Sequence, residues 1–271
     1  YNGNEFWRKQ ATIQTLLLED LKNYAGTHDL GFMIHNSFGK GWMLTHDNKF
    51  LNVELQSAKA LSSRFNAKVG CIRSWDHHKD RWTFPVIIDN MMNLEFLFWA
   101  TQQTGDSIYY KEAVSHAKVT MKNHFRSDYS SYHVIDYDSV SGLINQKCTF
   151  QGLADESIWS RGQSWGLYGF TLCYRYTHDK EFLDQAEKIA NFIFSQHNMP
   201  SDFIPYWDMK DPSIPNAPRD VSSAAITASA LYELCSYSAK RIQYKAWADQ
   251  IIYHLSKEYR CPAGKKYGFL L

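Results

Sequence analysis

The sequence carries almost no net charge: 29 Lys and Arg stand against 28 Asp and Glu, leaving +1 over 271 residues. With no long basic run, that balance argues against general nucleic-acid or membrane-surface binding, and neither partner is expected. No stretch approaches the roughly 18 consecutive apolar residues of a membrane span. Cysteine is sparse. The five (Cys71, Cys148, Cys173, Cys235 and Cys261) are odd in number, widely spaced and form no Cys-x-x-Cys pair, which argues against a disulfide scaffold or a structural zinc site. A Gly-x-Gly-x-x-Gly fingerprint, a phosphate loop, a Gly-x-Ser-x-Gly elbow and a His-Glu-x-x-His pair are also missing, so nucleotide, serine-hydrolase and zincin chemistries lose their usual signatures. No cofactor and no metal are expected.

Aromatics are abundant instead. Nine Trp, 17 Tyr and 16 Phe make up 15% of the chain, and hydrophobic residues make up 44%, enough for a substantial core. Aromatic faces stack on the apolar faces of sugar rings as readily as they fill a core, so composition alone leaves both uses open.

The dominant periodicity is helical. Segments near 4–25, 32–45, 49–65, 89–104, 107–126, 157–178, 181–197, 220–238 and 242–260 read as helices, arranged in pairs. In 181–197, Phe182, Ala186, Ile189, Ala190 and Ile193 fall on one face. The run Met91 to Ala100 is apolar almost all round and predicts a helix packed between neighbours. A repeat marks the turns: Thr45-His46-Asp47, Thr104-Gly105-Asp106 and Thr177-His178-Asp179 each carry an aromatic five residues after the Thr (Phe50, Tyr109, Phe182), with the Asp placed to cap the second helix. Ser238-Ala239-Lys240-Arg241 is a degenerate fourth copy. The intervals of 59 and 73 residues between the first three suit a helical hairpin plus a variable loop. The expected class is therefore all-α, an α/α toroid of helical hairpins with some helices missing, against an open solenoid as the rival. Long loops at 66–88 and 127–156 interrupt it, the second with β-prone residues Tyr132 to Ile135 that predict a small hairpin. Segment 199–219 holds five of the seven prolines and predicts a rigid loop.

The chain reads as one domain, 1–271. It opens at Tyr1 without a Met and stops at Gly268-Phe269-Leu270-Leu271 without a closing element, so it is expected to be truncated at both ends and a missing leader is uninformative. The unpaired cysteines lean towards the cytoplasm, while a lost leader would allow the periplasm.

Two aspartates stand out by position. Asp29 and Asp89 each open a predicted helix and lie 60 residues apart, one repeat, which in a toroid would place them on neighbouring inner helices and bring two carboxylates to one pocket. Asp is also a preferred N-cap and needs no further role there. Asp89 follows the apolar run Phe84 to Ile88, which predicts partial desolvation; burial raises a carboxyl pKa and a helix N-terminus lowers it. A second cluster spans Gln151 to Trp165. Arg161 and Trp165, at i and i+4, set a cation beside an aromatic plate, a pairing suited to an acidic sugar. His133, near Asp136 and Asp138, has a hydrogen bond to offer a ligand or the loop backbone. His77-His78, with Asp76 and Asp80, lacks a recognisable metal-ligand spacing.

Four stretches, Thr27-His28-Asp29-Leu30-Gly31-Phe32, Arg73-Ser74-Trp75-Asp76, Pro85-Val86-Ile87-Ile88-Asp89-Asn90-Met91-Met92-Asn93-Leu94 and Trp159-Ser160-Arg161-Gly162-Gln163-Ser164-Trp165-Gly166, resemble the unsaturated glucuronyl hydrolases, glycoside hydrolase family 88. The resemblance implies an (α/α)6 barrel, of which a stretch before Tyr1 and a C-terminal stretch are absent here. It implies action on oligosaccharides with a 4,5-unsaturated uronic acid at the non-reducing end; the partner expected is that oligosaccharide, bound by a monomer or weak homo-oligomer. Residue by residue, it implies that Asp89 is the general acid/base and Asp29 the second catalytic aspartate. His28, His133, Gln151, Trp159, Arg161 and Trp165 match substrate-contacting positions, and Asp155 reads as structural. The implied chemistry is hydration: Asp89 protonates C4 of the vinyl ether, water captures the cation at C5, and the hemiketal opens to release the leaving sugar. A related family acting on unsaturated galacturonyl-rhamnose shares the barrel and chemistry. The His-Asp-Leu-Gly-Phe and Asp-Asn-Met-Met-Asn forms favour the glucuronyl group, and intact Asp29 and Asp89 argue against an inactive sugar-binding barrel.

Overall fold

The computed structural model describes residues 3–264 and Leu271; Tyr1 and Gly268–Leu270, on which the reading of the termini rested, lie outside the described residues. The helices are α1 (Glu5–Leu16), α2 (Leu30–Ile34), α3 (Lys40–Thr45), α4 (Asn48–Ser62), α5 (Leu94–Thr104), α6 (Ser107–Asn123), α7 (Ser160–Thr177), α8 (Lys180–Phe194), α9 (Val221–Leu234) and α10 (Arg241–His254). Short strands β1 (Phe65–Asn66) and β2 (Cys71–Ile72) pair antiparallel, and β3 (Pro85–Ile87), β4 (Val134–Tyr137) and β5 (Ile144–Cys148) form a sheet in that order. The architecture is all-α helical hairpins with small β elements and long loops, the hairpin class expected from the repeat.

Most boundaries agree with the periodicity, and the differences are local. The 4–25 segment is α1 followed by a separate 3₁₀ turn, Glu19–Asn23. The 32–45 segment is one run in which a π-helical turn, His35–Gly39, joins α2 to α3. The 89–104 segment starts as a 3₁₀ turn, Ile88–Asn93, so Asp89 sits inside that turn and not at the head of an α-helix. The predicted hairpin is β4–β5. Segment 199–219 holds neither helix nor strand and is pinned by bridges Trp159–Asp208 and Tyr206–Arg219.

The repeated turn has one atomic recipe. The central residue is left-handed in each copy (φ 54 at His46, 73 at Gly105, 55 at His178). The Thr hydroxyl donates to the carbonyl four residues back at 2.7 Å in all three and accepts the Asp N–H at 3.1–3.2 Å. The Asp carboxylate then accepts an N–H from the next helix at 2.9–3.1 Å. The following aromatic, Phe50, Tyr109 or Phe182, is buried and anchors the joint to the core. In the fourth copy Ser238 accepts the Lys240 N–H at 3.0 Å, but Lys240 supplies no side-chain cap.

The chain divides into two compact units. The first comprises 1–86, 92–116 and 137–143. In it α5 packs against α2 and α4 and buries Leu94 and every residue from Phe96 to Ala100, as its all-round apolar character demands. α4 contributes Phe50, Val53, Ala58 and Leu61 from one face. The second unit comprises 87–91, 117–136 and 144–271. There α7 packs against α8 and α9, and α9 against α10. Gly162 and Gly169, seven residues apart on one face of α7, make room for the turn bearing Asp89. A Cβ on Gly162 would come to 3.0 Å from Ile88 Cγ2, and one on Gly169 would strike Met91 Cβ. Small residues on α7 thus set the depth of the Ile88–Met91 turn.

Candidate active site

In the first unit the motif Thr27-His28-Asp29 leads into α2. His28 is held by its backbone N–H, which donates to Ser74 O at 2.9 Å, and its side chain is buried. Its Nε2 lies 3.2 Å from Asp29 Oδ1, while the Thr27 hydroxyl donates to Asp29 Oδ2 at 3.0 Å. Asp29 occupies the N-cap position of α2, yet its side chain makes no capping bond. The Phe32 N–H, one of the open donors of that helix end, is taken at 2.7 Å by Asn93 Oδ1. The carboxylate is half exposed and free of capping duty. Burial alone would raise its pKa, but the His28 hydrogen bond and charge, the Thr27 hydroxyl and the Arg64 guanidinium outweigh it and hold the carboxyl below its ordinary value.

In the second unit a chain of contacts links four predicted residues. Asp89 is buried, and its Oδ2 lies 3.7 Å from His133 Nε2. The Ile88 N–H donates to His133 O at 3.0 Å, tying the turn to the histidine backbone. The His133 ring lies 4.7 Å from the Trp159 ring, and the Arg161 guanidinium lies over Trp159 at 5.1 Å. The plate beneath Arg161 is thus Trp159, the N-cap residue of α7, where the i, i+4 argument had placed Trp165; Trp165 sits one turn further along, edge-on to Tyr168. Arg161 Nε lies 3.4 Å from Asp220 Oδ2, and Asp220 also caps α9 through the Ser223 N–H at 2.8 Å. Gln151 is exposed, and its backbone N–H donates to His133 Nδ1 at 3.1 Å. The Phe150 N–H donates to the same nitrogen at 3.0 Å. With two donors on Nδ1, the imidazole proton belongs on Nε2, the nitrogen facing Asp89.

Sequence reading missed Asp208 and Asp220. Both come from or adjoin the proline-rich segment, whose only sequence signal was rigidity. Asp155, read as structural, accepts the Thr149 N–H at 2.8 Å. Among the described residues no group of three His, Cys, Asp or Glu is placed to hold a metal ion, and His77 stacks on Trp75 at 5.1 Å.

A crystal structure of an unsaturated glucuronyl hydrolase specific for heparin superposes with a TM-score of 0.96 at 46% identity, matching 99% of this chain and 72% of that one. The chain belongs to the unsaturated glucuronyl hydrolase family. The Bacillus sp. GL1 unsaturated glucuronyl hydrolase structure gives a TM-score of 0.93 at 32% identity over 100% of this chain and 74% of that one. The unsaturated glucuronyl hydrolase of Formosa agariphila is 48% identical over 257 residues, 94% of this chain and 64% of that protein. The chain thus spans a little under two thirds of that curated relative. No family model matches it.

Proposed function

We propose that the protein hydrolyses oligosaccharides bearing a 4,5-unsaturated glucuronic acid at the non-reducing end, by acid-catalysed hydration of the vinyl ether. Family membership supports the substrate class. Related structures carry the names of heparin, of glycosaminoglycan degradation, and of complexes with dGlcA-Glc-Rha-Glc and dGlcA-GalNAc6S. The Streptococcus agalactiae relative has been solved with either of two aspartates replaced by asparagine, and their separation in that chain equals that of Asp29 and Asp89 here.

The observation that carries the mechanism is the buried Asp89 carboxyl group facing the Nε2 side of His133. Asp89 delivers a proton to C4, and the positive charge that develops at C5 is captured by water. As carboxylate, Asp89 then takes up a proton from that water, and the hemiketal opens to release the next sugar. Such a step needs one acid at the double bond and not two carboxylates astride the glycosidic oxygen. Arg161, backed by Trp159, receives the substrate carboxylate, and Trp165 offers a ring face to the sugar. Asp29, its charge secured by His28, holds ring hydroxyls.

The test follows the ultraviolet absorbance of the conjugated double bond in unsaturated heparin and chondroitin disaccharides, using the full-length protein. Wild type consumes the double bond and Asp89→Asn slows it about 100- to 10,000-fold, the usual weight of a general acid. Near-normal turnover in Asp89→Asn would overturn the assignment.

A further inference from the structure

The loop between β5 and α7 is held at both ends by acceptors, and one of them is the histidine facing Asp89. At its start, the Phe150 and Gln151 N–H groups donate to His133 Nδ1. At its end, the fully buried Asp208 receives four donors. Its Oδ2 accepts the Leu153 N–H at 3.0 Å and the Ser157 hydroxyl at 2.6 Å; its Oδ1 accepts the Ile158 N–H at 3.2 Å and the Lys210 N–H at 3.0 Å. Between the two anchors stands Gly152, where a Cβ would lie 2.8 Å from Thr149 Oγ1, 3.2 Å from Trp159 Cβ and 3.3 Å from Asp208 Oδ2. The loop has one seat, and no side chain fits at its middle without displacing a wall.

We infer that Asp208 is a positioning residue that acts through His133: by seating loop 149–158 it keeps two N–H groups on Nδ1 and so fixes the imidazole proton on Nε2, towards Asp89. The inference rests on the reading of Asp89 as the acid. Releasing the loop exposes the Nδ1 lone pair, and a proton can then bind there. The charged groups around His133 are Asp89 on the 3₁₀ turn, Arg161 beyond the Trp159 ring, Asp155 through Thr149, and Asp136 on its own strand, which is engaged by Asn145 at 3.0 Å. The demand on Asp208 is for a carboxylate specifically. Each oxygen faces at least one backbone N–H, which cannot reverse, so an amide in either orientation turns its NH₂ against a fixed donor.

The experiment reads the imidazole nitrogens of His133 by ¹⁵N NMR in the full-length protein without substrate, alongside a kcat/KM–pH profile. In wild type the proton stays on Nε2 with no titration across about pH 5–8, where an unconstrained histidine changes charge. In Asp208→Asn the ring shows both tautomers and a titration appears within that range. The same variant loses about ten- to a hundredfold in kcat/KM, as expected for a misplaced catalytic constellation, and gains a new ionisation in the profile. Gly152→Ala retains Asp208 and crowds the loop from within. It produces the same signature and carries the test if Asp208→Asn fails to fold. The inference is overturned if both folded variants leave the tautomer and profile unchanged and lose only thermal stability. Absence of turnover in wild type with the His133 signature intact would sink the functional reading and leave standing only the loop's control of the His133 tautomer.

Discussion

Asn93 Oδ1 accepts the Phe32 N–H at 2.7 Å, doing for α2 what Asp29 would do from the cap position. The most economical explanation of an aspartate before a helix is thereby removed, and the carboxylate is left to His28 and Thr27.

Replacing His28 with Asn takes away the leading favourable partner of the Asp29 carboxylate, so its pKa rises from its lowered value. The sign for stability follows from the depressed folded value. The contribution is present above the unfolded pKa, about 3.8, and is lost as pH falls through the lower folded pKa. Because the group is half exposed, the effect stays below about 1 kcal/mol. Denaturant unfolding of wild type and Asp29→Asn from pH 6 to 3 should show the difference shrinking in acid; a gap that widens would refute the assignment.

Asp220 joins two duties that substitution can separate. Asp220→Asn keeps an oxygen for the Ser223 N–H but removes the charge beside Arg161. We expect thermal stability within about 0.5 kcal/mol of wild type together with a severalfold rise in KM for the acidic sugar. Asp220→Ala should add a capping loss of about 1 kcal/mol. Equal kinetics in wild type and Asp220→Asn would show that Arg161 needs no such support.

Glu54 lies fully buried on α4, 3.2 Å from His35 Nδ1, with the His35 ring against Phe96 and Trp99. Burial raises its pKa, only partly offset by His35. The protonated form is therefore favoured in the folded state, and stability falls as pH rises from the unfolded value of 4.5 through the raised one. Glu54→Gln should become more stable relative to wild type over that rise, as measured by urea unfolding; a pH-independent difference would contradict it.

How much of this was legible beforehand varies with the kind of signal. The Thr-x-Asp turns were readable because they are local: a hydroxyl, a left-handed residue and a cap lie within a few positions. α5 was readable because six of seven consecutive residues are apolar. Asp29 and Asp89 could be singled out, but nothing nearby in sequence says that Asn93, distant along the chain, relieves Asp29 of capping. Asp208 and Asp220 were invisible for the same reason: beyond the nearby Lys210 and Ser223 N–H groups, the partners that matter (Leu153, Ser157 and Ile158 for Asp208, Arg161 for Asp220) are distant along the chain, and proline spacing reports stiffness without reporting what the stiff segment grips.

The turn caps offer the plainest stability test. Asp47→Ala and Asp106→Ala should each cost about 1 kcal/mol, the usual weight of an N-cap. Asp179→Ala should cost somewhat more, because Lys118 Nζ also lies 3.2 Å from that carboxylate. Thermal unfolding of the three variants would settle it, and three neutral substitutions would show that the joint holds without its acid.

None of these joints contains a residue of the candidate site; the side chains assigned to chemistry sit in the stretches before and between them. Helix pairing is thus specified by a standard fitting that reads the same at 45, 104 and 177, while the segments strung between fittings differ in length. A scaffold built that way tolerates exchange of whole intervening segments. New sugar preferences should be obtainable by transplanting the stretch from 127 to 159 between homologues, with the Thr and Asp of each fitting left untouched.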